Sequence, residues 1–394
     1  MQAFLKQLPR HFSPHDTEAM ALAIQLARHG LYTTSPNPRV GCVLSKNGNI
    51  IASGWHQQAG GKHAEIEALS QAGEQARGAT AYVTLEPCSH HGKTPPCADA
   101  LIKAGVKRVV AAMVDPNPQV AGNGLKALHD AGIETNWGLL EEDAKALNPG
   151  FIKRMLHQQP LLRVKMATSL DGRTAMASGE SKWITGPAAR ADVQRWRAQS
   201  CAIVMGVDSV LSDDPSMTVR QSDWLGESPE LWQQQAIRQP LRIVLDSQCR
   251  IPLNAKLFQQ AGKTAIATTE NSLKQHGDKI SQLQNLGHEV IITNKSGQIN
   301  LAPLLRELAK REINEVLVET GPTLAGAFMQ AGLVDELILY MAPKLMGHAA
   351  KPSLSLPGLD KMSDCLQLNL KDIRQVGEDL RIIASPSPIA PEAS

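Results

Sequence analysis

The chain has 394 residues, and its 40 Lys and Arg nearly balance its 38 Asp and Glu, leaving a formal net charge of +2. This charge, together with only 4% aromatic residues, argues against a nucleic-acid-binding surface, and the length favours two domains. No apolar run approaches the roughly 20 residues of a membrane span, and the opening MQAFLKQLPRHF lacks the apolar segment of a signal peptide, so a soluble, cytoplasmic protein is expected.

The first part of the sequence alternates helical and strand patterns. The segment 16–30 predicts an amphipathic helix that Gly30 ends, and 40–56 predicts two strands around an Asn47-Gly48 turn. Further helices and strands are predicted, in alternation, at HAEIEALSQAG, ATAYVTLEP, PCADALIKAG, KRVVAAMVD, GNGLKALHDAG and IETNWGLL. Repeated strand-helix-strand order predicts an α/β layer architecture with a largely parallel sheet.

A second α/β series follows the Asn-Pro-Gly sequence at 148–150 and a short basic helix. It opens with the strand pattern PLLRVKMATSLDG, and later strands are predicted at CAIVMGV, LRIVLDS, TAIATT, HEVIITN, NEVLVET and ELILYMAPKLM. Helices are predicted at AARADVQRWRAQ, APLLRELAKR and PTLAGAFMQAG, before a closing hairpin in QLNLKDIRQVGEDLRIIAS. The expected organisation is an N-terminal extension (1–15), a first domain (16–148), a second domain (149–384) and a disordered, Pro- and Ser-rich tail (385–394).

Three soft side chains in the first domain have the pattern of a catalytic zinc site. His63 opens a predicted helix, Cys88 follows the AYVTLE strand, and Cys97 begins the next helix. One imidazole and two thiolates give zinc three ligands and leave its fourth tetrahedral position for water. Zinc makes such a water nucleophilic near neutral pH, and Glu65 is suited to carry its proton to the ring nitrogen and the departing ammonia. The remaining four of the six cysteines are expected to be small apolar residues.

The spacing of the two cysteines departs from the general pattern of zinc nucleobase deaminases. That pattern is H-x-E followed by P-C-x-x-C, whereas CSHHGKTPPC places eight residues between Cys88 and Cys97. His90 and His91, within this loop, are alternative metal ligands. Lys93 is either a point charge for a substrate phosphate or a solvated loop lysine.

The run TLEPCSHHGKTPPC, with its long loop, resembles the deaminases of riboflavin biosynthesis. The same family carries a stretch similar to SPNPRVGCV at 35–43. The resemblance implies a cytidine-deaminase-like three-layer αβα domain in which Asn37 helps to hold the pyrimidine ring.

In the second domain, the strand INEVLVE ends at Glu319 and a glycine-containing turn leads into a helix. Backbone N–H groups at such a helix N-terminus suit a dinucleotide pyrophosphate, although an ordinary strand-to-helix turn explains the pattern as well. Five segments, KMATSLDGRTA, SGESKWITG, VLSDDPSMTVR, RIVLDS and ETGPTLAGAF, resemble in this order the reductase of riboflavin biosynthesis. That reductase is a relative of the dihydrofolate-reductase fold, so the resemblance implies an α/β domain of this kind.

Family members with both halves in this order are bifunctional deaminase/reductases. The resemblance therefore implies a hydrolase that is also an NADP-dependent oxidoreductase, with zinc and NADPH as cofactors, a small-molecule substrate and at least a homodimer. The implied cofactor contacts are Ala167, Trp183, Ser209, Asp213, Ser247, Gly321, Pro322, Thr323, Leu324, Ala325, Gly326 and Ala327. The implied substrate contacts, besides Asn37, are Ser181, Arg197, Met217, Arg220 and Glu319.

Four side chains of the second domain suggest specific roles. Arg197 and Arg220 suit a bidentate clamp on the ribose phosphate, although surface arginines more often make ordinary ion pairs. Lys165 and Asp171 are candidates for proton delivery to the reduced sugar carbonyl. A strand lysine that extends to solvent and an Asp-Gly turn are the alternatives.

The implied reactions are removal of the 2-amino group of 2,5-diamino-6-ribosylamino-4(3H)-pyrimidinone 5′-phosphate, then hydride transfer from NADPH to C1′ of the opened ribose. A competing hypothesis is a nucleic-acid-modifying deaminase whose C-terminal half is an RNA-binding module, which predicts a basic, aromatic-rich surface. A third is a non-catalytic scaffold with a structural zinc, which requires a fourth protein ligand.

Overall fold

The computed structural model describes residues 1–89, 96–118, 120–223, 237–294 and 297–387. They form two compact units, Met1–Gln158 and a second unit that begins at Gln159. Each unit combines a β-sheet with helices, which confirms the predicted α/β class. Within the described ranges, no helix has the length and apolar character needed to cross a membrane.

The first unit has a five-stranded sheet in the order β2-β1-β3-β4-β5. Its strands are β1 (Gly41–Lys46), β2 (Asn49–Trp55), β3 (Thr80–Val83), β4 (Arg108–Ala111) and β5 (Glu134–Trp137). Its helices are α1 (Gln2–Gln7), α2 (Pro14–Ala27), α3 (Ala64–Ala72), α4 (Cys97–Ala104), α5 (Asn123–Asp130), α6 (Glu141–Leu147) and α7 (Pro149–His157).

The direction of the strands corrects one expectation from the sequence. Only β3, β4 and β5 are parallel, whereas β1 is antiparallel to both β2 and β3. The predicted hairpin turn accounts for the β1–β2 pair, since Asn47 and Gly48 have φ angles of 51° and 80°, which reverse the chain within two residues. The sheet is therefore mixed and not largely parallel.

The helix predicted from residue 16 begins two residues earlier. Pro14 occupies its first turn, and the Ser13 hydroxyl accepts a hydrogen bond from the Asp16 amide while the Asp16 carboxylate accepts one from the Ser13 amide. This reciprocal cap fixes the start of α2. The region expected to be an extension before residue 16 also contains α1.

The second unit has a nine-stranded sheet in the order β11-β10-β9-β8-β12-β6-β13-β16-β15, and the small pair β14-β7. Its strands are β6 (Leu161–Ser169), β7 (Arg173–Ala175), β8 (Ala202–Gly206), β9 (Leu241–Leu245), β10 (Thr264–Thr268), β11 (Glu289–Ile292), β12 (Glu315–Glu319), β13 (Glu336–Ala342), β14 (Lys351–Pro352), β15 (Leu368–Val376) and β16 (Asp379–Pro386). Its helices are α8 (Pro187–Gln199), α9 (Val207–Asp213), α10 (Glu270–Gln275), α11 (Gly277–Asn285), α12 (Leu301–Lys310) and α13 (Pro322–Gln330).

Neighbouring strands from β11 to β13 are parallel, and the predicted β15–β16 hairpin closes one edge. Strand β16 continues to Pro386, which pairs with Leu368, so ordered structure extends past residue 384, where the sequence places the domain end. Because the strand ends of a parallel sheet meet at one edge, the segments after β8, β9 and β12 lie together. Helix α13 is fixed there by Phe328, which is fully buried in the core.

Candidate active sites

The three predicted metal ligands converge in the first unit. The ligand atoms of His63, Cys88 and Cys97 all lie within 4.8 Å of one another. His63 Nδ1 is 3.2 Å from the Cys97 sulfur and 3.7 Å from the Cys88 sulfur. Tetrahedral zinc bonds of about 2.1 Å to nitrogen and 2.3 Å to sulfur require ligand atoms about 3.6 Å apart. Both the donor chemistry and the spacing therefore fit zinc.

Local structure delivers each of these groups. His63 is the residue before α3, Cys88 follows the segment after β3, and Cys97 is the first residue of α4. The Cys97 amide donates a hydrogen bond of 3.3 Å to the Cys88 sulfur, so an α4 N-terminal amide stabilises that thiolate. Hydrogen bonds from the Cys97 thiol and from His63 lower the pKa of Cys88, although burial opposes them.

Glu65 lies in the first turn of α3 and is almost completely buried beside the ligand cluster. Burial raises the pKa of its carboxyl to about 7, partly offset by the charge of His63. A buried carboxylate beside a metal-ligand cluster has the position that proton transfer requires.

Glu86 supports the structure around the metal-ligand cluster, and the sequence analysis did not single it out. It is buried two residues before Cys88, in the TLEP segment. Its carboxylate oxygens accept hydrogen bonds of 2.8–3.2 Å from four backbone amides, those of Asp115, Gly122, Gly124 and Leu125. Glu86 thereby caps α5 and holds the segment that carries Cys88. The signal in the sequence that could have indicated Glu86 is its position between a strand and a Pro-Cys pair.

His56 is a second missed residue. Its Nδ1 lies 2.8 Å from the carbonyl of Lys62 and its Nε2 lies 3.1 Å from the Asn37 side-chain nitrogen. Burial lowers the pKa of His56, which favours the neutral ring that donates from Nδ1 and accepts at Nε2. Its ring centroid is 5.5 Å from that of His63. His56 therefore orients Asn37 next to the metal-ligand cluster.

The predicted substrate residues of the second unit share one cavity of about 680 Å³, here called the substrate cavity. Three predicted cofactor residues line it as well. The substrate residues are Ser181, Arg197, Met217, Arg220 and Glu319, and the cofactor residues are Ala167, Trp183 and Asp213.

The geometry of Arg197 differs from that of a phosphate clamp. Its Nε and Nη2 donate hydrogen bonds of 2.6 and 2.9 Å to the two oxygens of Glu319, and its Nη1 donates one of 3.0 Å to the carbonyl of Thr218. Arg220 is half exposed and pairs through Nε with Asp223 at 2.7 Å. Arg220 is therefore the more available of the two cations.

Lys165 lines the same cavity, whereas Asp171 lies elsewhere. Lys165 is opposite Glu319 in the β6–β12 ladder, and burial lowers the pKa of its amine. The Asp171 carboxylate instead accepts hydrogen bonds from the amides of Met346 and Gly347. These contacts fit the turn-forming alternative for Asp171.

A second cavity, of about 750 Å³, contains most of the other predicted cofactor residues and is here called the cofactor cavity. Its lining includes Ser209, Ser247, Gly321, Pro322, Thr323, Leu324 and Ala327. Among the described residues no side chain caps α13, and a Cβ added to Gly321 would meet nothing within 4 Å, so the N-terminus of α13 forms an open cradle. Free amides around such a cradle suit the phosphates of a dinucleotide.

Ala325 and Gly326 do not line either cavity. Ala325 is in the hydrophobic core, and a Cβ on Gly326 would lie 1.9 Å from the carbonyl oxygen of Ser355. The small size of these two residues lets α13 pack closely against the core and the segment that contains Ser355. The loop residues His90, His91 and Lys93, for which ligand or phosphate roles were considered, lie outside the described residues.

Comparisons with known proteins identify both halves. The pattern of a cytidine and deoxycytidylate deaminase zinc-binding region matches residues 13–113, and that of the RibD C-terminal domain matches residues 160–382. The riboflavin biosynthesis protein RibD of Escherichia coli is 53% identical over 365 residues, covering 93% of this chain and 98% of that protein. The chain belongs to the RibD family.

Solved RibD structures agree with this assignment. Acinetobacter baumannii RibD, form 1, is 46% identical and covers 95% of this chain and 99% of its own, with a TM-score of 0.86. A diaminohydroxyphosphoribosylaminopyrimidine deaminase/5-amino-6-(5-phosphoribosylamino)uracil reductase from Thermotoga maritima is 32% identical with the same coverage and a TM-score of 0.79.

Membership of the RibD family establishes a bifunctional deaminase/reductase of riboflavin biosynthesis that acts on a small molecule. Zinc serves the deaminase half and NADPH the reductase half. The competing hypothesis of an RNA-binding C-terminal half is not supported, because that half matches the RibD C-terminal domain.

Proposed function

We propose that the two units catalyse consecutive steps, using the residues that line the sites described above. The first step removes the 2-amino group from 2,5-diamino-6-ribosylamino-4(3H)-pyrimidinone 5′-phosphate, and the second reduces the ribosyl chain of the product to ribityl. The name of the Thermotoga relative supports these substrates. The observation that carries the proposal is the convergence of His63, Cys88 and Cys97 beside the buried carboxylate of Glu65.

In the deaminase site, His63, Cys88 and Cys97 hold zinc. Zinc bound there supplies the Lewis acidity that makes water nucleophilic near neutral pH. Glu65 takes up one proton from the attacking water and gives it to the ring nitrogen, and it then passes the second proton of that water, left on the new C–OH group, to the leaving amine. Burial raises the pKa of the Glu65 carboxyl above its usual range, which suits a group that must both accept and donate a proton, and the same burial excludes competing water.

Asn37 recognises the pyrimidine, and His56 orients it. Because the Asn37 side-chain nitrogen donates to His56, the amide oxygen is presented as the acceptor for a ring N–H. His56 in turn is fixed by the Lys62 carbonyl. His56 is therefore a positioning residue that sets which end of the amide meets the substrate.

In the reductase site, the substrate cavity binds the open-chain sugar. NADPH supplies the hydride. Lys165 donates a proton to the carbonyl oxygen of the sugar as it is reduced, and Glu319 keeps this lysine charged while being held itself by Arg197. Arg220 pairs with the phosphate, since its guanidinium is half exposed and uses only one N–H for Asp223 among the described residues.

The zinc assignment predicts the behaviour of Cys97→Ser. The substitution removes one soft anionic ligand, so zinc content should fall from about one ion per chain to near zero and deamination should be lost. Reduction of the deaminated substrate should persist, since its site lies in the other unit. Metal analysis and ammonia release measure these outcomes. Cys365→Ser, at the exposed cysteine, is the matched control, and full zinc retention by Cys97→Ser contradicts the ligand assignment.

We also infer that the chain forms a homodimer or a larger homo-oligomer. Strand β15 is the edge of the nine-stranded sheet, and its Leu370 and Ile373 side chains are 62% and 56% exposed. An exposed apolar edge strand is a typical site of self-association. Light scattering of the purified chain should give at least twice the monomer mass, and a monomeric mass contradicts the inference.

A cytoplasmic location completes the proposal. All six cysteines are free, as is usual in reducing compartments. Cell fractionation tests this location, and recovery outside the cytoplasm contradicts it.

A further inference from the structure

The predicted cofactor contacts of the second unit are distributed over its two cavities. The substrate cavity contains the predicted sugar contacts, so the reacting nicotinamide belongs there. The phosphate-binding cradle around Gly321 belongs to the cofactor cavity, which continues to Ser247 and Arg250 after β9. With the nicotinamide in the substrate cavity, the adenosine half is left for the cofactor cavity, in which the predicted cofactor contact Ser247 follows β9. NADPH differs from NADH only by a 2′-phosphate on this half.

We propose that Arg250 binds the 2′-phosphate and selects NADPH over NADH. This inference rests on the proposed reductase function and adds to it a residue that decides the choice of cofactor. Within the described lining of the cofactor cavity, the positively charged side chains are Arg250 and Lys351. Arg250 lies three residues after Ser247, a predicted cofactor contact, in the same segment after β9.

The backbone that carries Arg250 is held firmly. Asp246, buried at the end of β9, accepts hydrogen bonds from the amides of Gln248 and Ile251 at 3.4 and 2.8 Å. Lys279 Nζ donates a hydrogen bond of 2.7 Å to the carbonyl of Cys249, whose φ of 51° lies in the left-handed region. These contacts hold the backbone on both sides of Arg250, so its side chain extends from a preformed turn.

The guanidinium itself has a replaceable partner. Arg250 Nη2 donates a hydrogen bond of 2.7 Å to Asp208, and the two side chains are 44% and 84% exposed. Such an exposed ion pair contributes little to stability, so exchange of Asp208 for a phosphate dianion costs little. The planar fork of arginine matches phosphate oxygens with two N–H groups. Asp208 thus keeps the arginine charge-paired until the cofactor arrives.

Lys351 is the weaker candidate and provides the matched control. It lies on β14, which pairs with β7, and so approaches the cofactor cavity from an element separate from the β9 turn. Its ammonium is a point charge without the bidentate geometry of arginine.

The test compares Arg250→Gln and Lys351→Gln with the unmodified chain. The dissociation constants of NADPH, NADH and adenosine 2′,5′-bisphosphate are measured by calorimetry, with no turnover required. Arg250→Gln should weaken binding of NADPH and of the bisphosphate about 10- to 100-fold and change NADH binding less than about threefold. Lys351→Gln should leave the NADPH-to-NADH ratio within about threefold, and Arg250→Lys should restore part of the preference.

Three results distinguish failure of the Arg250 proposal from failure of the proposed reductase function. Equal weakening of NADPH and NADH by Arg250→Gln overturns the proposal, because the side chain then acts on a shared part of the cofactor. Loss of the preference in Lys351→Gln alone assigns the phosphate to the other cation and also overturns it. If the unmodified chain binds neither nucleotide, the proposed reductase function fails instead.

Discussion

Glu65→Gln should abolish deamination while leaving the metal site occupied. The amide keeps the size of the side chain but cannot take up and return a proton, and general acid–base catalysis of this kind contributes about 10²- to 10⁴-fold. Ammonia release from the diaminopyrimidine should fall by that factor. Zinc content should remain near that of the unmodified chain, because Glu65 is not among the three ligands. Reduction of the deaminated substrate should be unchanged.

Glu67→Gln is the matched control for this prediction. Glu67 lies on the same helix turn as Glu65, but two residues of α-helix rotate its side chain by about 200°, away from the ligand cluster. It should release ammonia at the normal rate. Unchanged ammonia release by Glu65→Gln, with zinc present, would falsify the mechanism and favour the hypothesis of a structural zinc in a scaffold.

Local sequence patterns predicted most of the architecture. The Asn47-Gly48 pair marks a hairpin whatever surrounds it, because both residues tolerate positive φ. The local pattern did not indicate the direction of β1 relative to β3, because β2 and α3 lie between these two strands in the chain and their pairing is formed only in the folded unit. Alternating helices and strands therefore predicted the α/β class correctly and the sheet direction incorrectly.

The metal ligands were predictable for a different reason. His63, Cys88 and Cys97 are chemically distinctive, and each lies at the end of a strand or helix that the sequence indicates. Glu86 was missed because its amide partners lie 29–39 residues further along the chain and become neighbours only in the folded unit.

Distance along the sequence also explains why Arg197 was interpreted as part of a phosphate clamp. Its bidentate partner Glu319 is 122 residues away in the sequence, so the composition of its helix gives no sign that its donors are already used. Chemistry alone suggested a phosphate clamp for Arg197 and Arg220 equally. The structure distinguishes them, because the Arg220 side chain is half exposed whereas that of Arg197 is mostly buried.

Lys165→Met should produce the largest loss in the reductase. Methionine fills a similar volume but carries no proton, so NADPH oxidation with the deaminated substrate should fall by about 10²- to 10⁴-fold. NADPH binding, measured by calorimetry, should change little, because the lysine lines the substrate cavity and not the cofactor cavity. Deamination by the other unit serves as an internal check that the chain is folded. Lys310→Met, at an exposed position on α12, is the control.

The pH dependence of the same reaction separates proton donation from simple electrostatic attraction. Burial lowers the pKa of Lys165, and a general acid works only while protonated, so the rate of the unmodified chain should decline with rising pH earlier than an ordinary lysine predicts. Lys165→Met should lack this decline. Lys165→Arg keeps the positive charge but does not release its proton near neutral pH. If Lys165→Arg retains nearly full activity, the role of position 165 is attraction of the substrate, and proton delivery must come from another group.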